Sequence, residues 1–200
     1  MKSDRFVFAV IFALIFSMIT LSLDSFAIKC QAVRGETLRL HIMAASDSEK
    51  DQQNKLAVRD AVLEQYSDIL CGKDIEQAKY LADFLKDDIK QTAEKTLKQN
   101  GCNDGVSVEL TDMFFDTRSY QNAITLPAGE YSALRIIIGE GKGQNWWCVM
   151  YPPLCLSACV KDEAMQVQQS ISELGQQPAY RAKFAIVELM QDIAAAINKS

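Results

Sequence analysis

Hydrophobic and polar positions change period along the chain, and each change marks an element. Lys2 and Arg5 precede a stretch that is apolar or small without interruption from Phe6 to Leu23. Such a run is just long enough to cross a bilayer as a helix. Ser25 and Ala27 follow with the small-residue spacing that signal peptidase accepts. A cleaved signal peptide over residues 1–27 is expected, with an uncleaved anchor as the alternative; both export the rest of the chain. From Glu36 to Ala45 the period becomes two, with Leu38, Leu40 and Ile42 on one side and Arg39, His41 and Met43 on the other. That alternation predicts a half-buried strand.

The period then lengthens to that of a helix. Ser46 and Glu49 are spaced as a capping box, and Leu56, Val62, Leu63, Tyr66, Ile69 and Leu70 recur at helical intervals until Cys71-Gly72. A second helix is expected from about Asp74 to Gln99, with Ile75, Ala78, Ala82, Leu85, Ile89 and Ala93 as its apolar stripe. Together they predict a helical hairpin lying on a sheet. "VSVEL", "ALRIIIG" and "WWCVMY" read as strands, the second buried on both faces, and "GEGKGQN" as a glycine-rich link between two neighbouring strands. Val160, Ala164, Val167, Ile171 and Leu174 mark a further helix, and Phe184, Val187, Met190 and Ala194 the last, over Tyr180 to Ile197. The fold class is therefore α+β: a largely antiparallel sheet packed by an N-terminal helical hairpin and C-terminal helices. Residues 28–200 are read as one exported domain.

Charge and composition narrow the function. The net charge is −5, and no basic block of the kind that neutralises phosphates is present, which argues against nucleic-acid binding. Removing residues 1–27 takes away Lys2 and Arg5 together with Asp4 and Asp24, so the balance is unchanged. All six cysteines lie after residue 27, where an exported location permits disulfides.

The densest chemistry lies in "GEGKGQNWWCVMYPPLC", residues 139–155. It is not a phosphate loop: Lys142 is followed by glycine, and a strand rather than a helix comes next. Trp146 and Trp147 are consecutive and so face opposite sides of a strand. One can enter the core and leave the other at the surface near Lys142 and Asn145, as a binding anchor or as packing on the second face. Cys148 and Cys155 would lie about 23 Å apart if extended. A bridge between them requires Pro152-Pro153 to fold the chain back; otherwise both are buried thiols. A zinc site from Cys148, Cys155, Cys159 and His41 lacks the paired spacing such sites use. His41 is the only histidine, and no nucleophile-elbow motif accompanies it. It reads as a hydrogen-bonded structural residue, and no cofactor is expected. An i, i+4 pair from Asp51 to Lys55 is expected on the first helix.

Two blocks, "LRLHIMAASDSEKDQQNKLAVRDAV" and "YSALRIIIGEGKGQNWWCVMYPPLC", resemble the stage II sporulation protein R family, over roughly residues 36–160. The resemblance implies a signalling protein without catalysis of its own. Members are made in the forespore and exported into the space between the two membranes that separate it from the mother cell. There they activate a membrane-embedded aspartic protease that removes the pro-sequence of sigma-E. On this reading Lys142, Asn145 and one of Trp146 and Trp147 contact the protease. Asp47, Asp51 and Arg59, beside His41, form a second candidate surface. The same residues have a reading as fold determinants, with the glycines in a strained turn and Arg59 and Asp60 in an ion pair. An exported hydrolase using His41 or a carboxylate pair is the competing function.

Overall fold

A computed structural model describes residues 2–70, 74–120 and 125–152. The two C-terminal helices, Cys71, Cys155 and Cys159 lie outside the described residues. The element order is α1 (Lys2–Gly35), β1 (Leu38–Met43), α2 (Glu49–Leu70), α3 (Ile75–Phe84), α4 (Lys86–Gln99), β2 (Val106–Phe115), β3 (Arg118–Ser119), β4 (Thr125–Leu126), β5 (Gly129–Ile138) and β6 (Asn145–Tyr151). The fold is α+β, with the four-stranded sheet ordered β2-β5-β1-β6 and a separate two-stranded pair, β3-β4. The β2·β5 and β1·β6 ladders are antiparallel, and the central β1·β5 ladder is parallel.

That order corrects two expectations. β5 and β6 are not neighbours, because β1 lies between them. The 139–144 link therefore passes over the end of β1 and does not form a simple reversal. β1 is not half-buried either: Leu38 to Ile42 are all buried, the polar Arg39 and His41 included. A strand with partners on both edges and cover on both faces loses its solvent side whatever its alternation.

One face of the sheet carries Leu38, Leu40, Ile42, Leu134, Ile136, Ile138, Val106 and Cys148 against Val58, Val62 and Tyr66 of α2, Ala78 and Ala82 of α3, and Ile89, Ala93 and Leu97 of α4. This is the predicted hairpin. The single second helix is in fact two. Leu85 sits at φ −90°, ψ 0° between α3 and α4, yet Leu85 N donates to Leu81 O and Ile89 N to Leu85 O. The apolar period runs through the bend, which is why spacing alone did not reveal it. Tyr66 Oη and Thr92 Oγ1 lie 2.9 Å apart and tie α2 to α4. Leu56 faces solvent, outside the stripe assigned to it.

The start of α2 also differs from expectation. Asp51 N donates to Ser48 Oγ (3.2 Å), so the cap is Ser48 and not Ser46. Ser46 Oγ instead accepts from Ser48 N and donates to Asp51 Oδ2. Lys55 does not pair with Asp51. Its Nζ donates to Gln52 Oε1 (2.6 Å) and to the carbonyl of Gln144 (2.9 Å).

On the second face, Phe115, Tyr131 and Ala133 form a smaller core with Met113 and Trp147. α1 is continuous from the apolar stretch through residue 27 to Gly35. Phe6, Phe8, Phe12, Phe16 and Met18 are exposed, whereas Phe26, Cys30 and Val33 are buried. The helix is long and apolar enough to cross a membrane. Arg34 ties its end to the domain by donating to the carbonyl of Ala128 (3.0 Å).

Candidate partner-binding site

The 139–144 link is held against the turn between β1 and α2. Gly143 N donates to Ala44 O (2.9 Å) and Lys142 N to Ala45 O (3.3 Å). Gln144 N donates to Asp47 Oδ1 (2.7 Å), while Lys55 Nζ holds the Gln144 carbonyl. Two glycines permit this path. Gly141 adopts φ +63°, in the left-handed region, and a Cβ on Gly143 would lie 2.2 Å from the Ser46 carbonyl oxygen. Burial pushes the Lys55 ammonium below its usual range, and Asp47 partly restores it. Each neutral hydrogen bond contributes about 1 kcal/mol net, and the charged ones more. The loop is thereby pre-organised, which lowers the entropy that binding a partner would cost.

The sequence-derived site residues gather at this end of β1. Lys142 is exposed and forms an ion pair with Glu140 (2.5 Å), a surface contact of small energetic weight. Asp47 is exposed and serves the loop, whereas Asp51 serves the helix start. Hydrogen bonds from Ser46 and Ser48 hold the Asp51 carboxyl below its ordinary range. Trp146 and Trp147 do face opposite sides, and both are half-buried. Trp146 packs against the helix-side core with the Arg59 guanidinium 5.2 Å from its ring. Arg59 also pairs with Asp60 at 2.7 Å.

Trp147 belongs to the other face. It stacks on His41 with centroids 3.7 Å apart and planes 13° apart, and meets Phe115 edge-on at 4.9 Å. Arg118 lies 5.3 Å from its ring. His41 Nε2 donates to Asn145 Oδ1 (2.9 Å), which fixes the tautomer because that oxygen only accepts. Nδ1 is then a bare acceptor, buried without a partner among the described residues. Burial is the main cause of a His41 pKa lowered to about 4, with the neighbouring arginines adding to it. The imidazole is therefore neutral near pH 7. Among the described residues it has neither the nucleophile nor the carboxylate that a catalytic triad needs. Cys148 is disulfide-bonded and so is no thiolate for a metal. Of the two readings of Cys148, bridge or buried thiol, the structure has the bridge, while Cys155, the partner considered for it, lies outside the described residues.

Sequence reasoning missed the buried Arg39 cation on the second face and Phe115, Tyr120 and Tyr131, which surround it. Alternation placed Arg39 opposite the leucines. Its burial depends on residues that are distant in sequence.

The family model described as stage II sporulation protein R matches residues 34–161, which take in β1, the clamped loop and β6. The stage II sporulation protein R of Bacillus subtilis (strain 168) is 39% identical over 137 residues. That match covers 67% of this chain and 60% of the relative's length. No solved structure matches.

Proposed function

The chain belongs to the stage II sporulation protein R family and so has a role in sporulation, and from that premise we propose that it is an exported signal acting on a membrane-embedded aspartic protease. In this reading the protein leaves the forespore, enters the space between the two membranes and favours the active state of the protease, which then trims the sigma-E precursor. The mechanism is a population shift. The protein binds the active form better than the inactive one, and the shift cannot exceed that difference in affinity. No bond is broken by this chain.

The observation that carries the reading is the clamped loop. Exposed Lys142 and Asp47 lie on the loop and on the turn that holds it, and half-buried Trp146 follows at the start of β6, polar groups next to an aromatic anchor of the kind that dominates protein interfaces. The disulfide at Cys148 suits an oxidising, extracytoplasmic location. Co-expression of the protein, the protease and the precursor in a non-sporulating host tests it. Trimming should require both partners and an intact N-terminal segment. Trp146→Ala should reduce it by at least about tenfold, the size of a typical hot spot. Trimming that proceeds without this chain, or undiminished when its export is blocked, would rule the reading out.

A further inference from the structure

The second face of the sheet holds a buried charge that no carboxylate among the described residues balances. Arg39 is fully buried at the centre of the sheet. Its guanidinium carbon lies 3.8 Å from the Phe115 ring centroid, 5.0 Å from that of Tyr131 and 5.8 Å from that of Tyr120. Nη2 donates to the Tyr120 hydroxyl. Nε and Nη1 are buried and have no acceptor among the described residues. Among the described residues no carboxylate pairs with it. Arg118 is close enough to act on it as a second positive charge, and Arg135, next to His41 in the ladder, is already paired with Glu109 at 3.0 Å. A buried cation with unmet donors is among the costliest arrangements a fold can retain, and an apolar side chain of similar volume would avoid that cost.

The shape of the guanidinium indicates what is missing. A carboxylate takes Nη2 together with Nε or Nη1, as two parallel donors. Nη2 is the atom now held by Tyr120. Tyr120 is half-buried and follows β3, part of a strand pair that shares no ladder with the main sheet. We propose that Arg39 is a recessed receptor for a carboxylate side chain of the protein partner, and that Tyr120 is the plug this carboxylate displaces. The aromatic rings keep the guanidinium dry and fixed in orientation, which strengthens a charged pair once it forms. The inference rests on the activator reading for the partner being a protein; it adds that the partner presents an acidic residue.

Two experiments separate the inference from that reading. In the first, full-length ¹⁵N-labelled protein in detergent micelles is titrated with sodium acetate at constant ionic strength, and the Arg39 Nε–H resonance is followed. Arg39→Lys serves to assign the signal. A saturable shift is expected, and Tyr120→Ala should lower the half-saturating acetate concentration by about tenfold, because the competent state is no longer rare. No saturable shift in either protein overturns the site. Inorganic phosphate binding as well as acetate overturns the carboxylate assignment. In the second, Arg39→Met is expected to keep or raise the melting temperature while cutting precursor trimming by about tenfold or more. Full trimming overturns the partner carboxylate, and a fall in melting temperature that accompanies the loss makes Arg39 structural and overturns it too. The acetate titration needs no protease, so it can fail while the activator reading stands, and the reverse also holds.

Discussion

His41 shows how one residue carries both a fold requirement and a measurable signature. Unfolded, it takes up a proton near pH 6.5; folded, burial between Trp147 and Asn145 delays this to about pH 4. Between those values the unfolded chain binds more protons, so stability is intact above pH 6.5 and falls as pH drops through the window. By pH 4 the loss from this group amounts to about 3 kcal/mol. His41→Gln, which cannot titrate, should therefore show a flatter dependence of the urea midpoint on pH than the wild-type chain. Parallel curves for the two proteins would show that His41 is not the group responsible. The alternation of Arg39, His41 and Met43 was legible in the sequence. Their burial was not, because it depends on which strands flank β1 and on what Phe115, Tyr131 and Tyr120 cover.

Among elements, the loop between β5 and β6 makes the sharpest case. Its glycines were legible as a requirement for an unusual path, but the path was read as a reversal between neighbours. Strand order depends on pairings between residues more than a hundred positions apart, such as His41 with Trp147, and local pattern does not encode it. The crossover makes a specific demand at Gly143. Gly143→Ala places a methyl group against the Ser46 carbonyl and must push the loop off the turn, with a loss of about 2 to 3 kcal/mol in urea denaturation. Gly35→Ala, where nothing lies within 4 Å of the added carbon, should change stability by less than about 0.5 kcal/mol. Equal effects at the two positions would contradict the clamp. The cap of α2 illustrates a smaller error of the same origin. Ser46 and Ser48 both have capping chemistry, and only the three-dimensional turn decides that Ser48 caps while Ser46 supports Asp51.

At the scale of the whole molecule, helices pack on one face and a polar-aromatic cluster lies on the other, which makes β1 a partition between two chemically different faces. The α+β class and most of the apolar stripes were legible because burial on the helix side largely follows the period, Leu56 being the exception. Cysteine chemistry adds a global check. Alkylation of the denatured, unreduced chain should label Cys30 and Cys102, which are free, and spare Cys148 until a reductant is added. Peptide mass mapping would read the result, and labelling of Cys148 before reduction would remove the structural support for an oxidising location. The continuity of α1 has a consequence for the range of the signal. At 1.5 Å per residue, the part of α1 beyond the apolar stretch spans about 18 Å, and its last turns are packed on the domain. While that helix is intact, the proposed activator is confined to a shell about 20 Å deep, where a membrane-embedded partner would meet it at millimolar effective concentration. Cleavage after Ala27, the sequence-based expectation, would make the proposed activator a diffusible messenger. To produce equal occupancy the released form needs contacts stronger by the two to four orders of magnitude that tethering otherwise supplies.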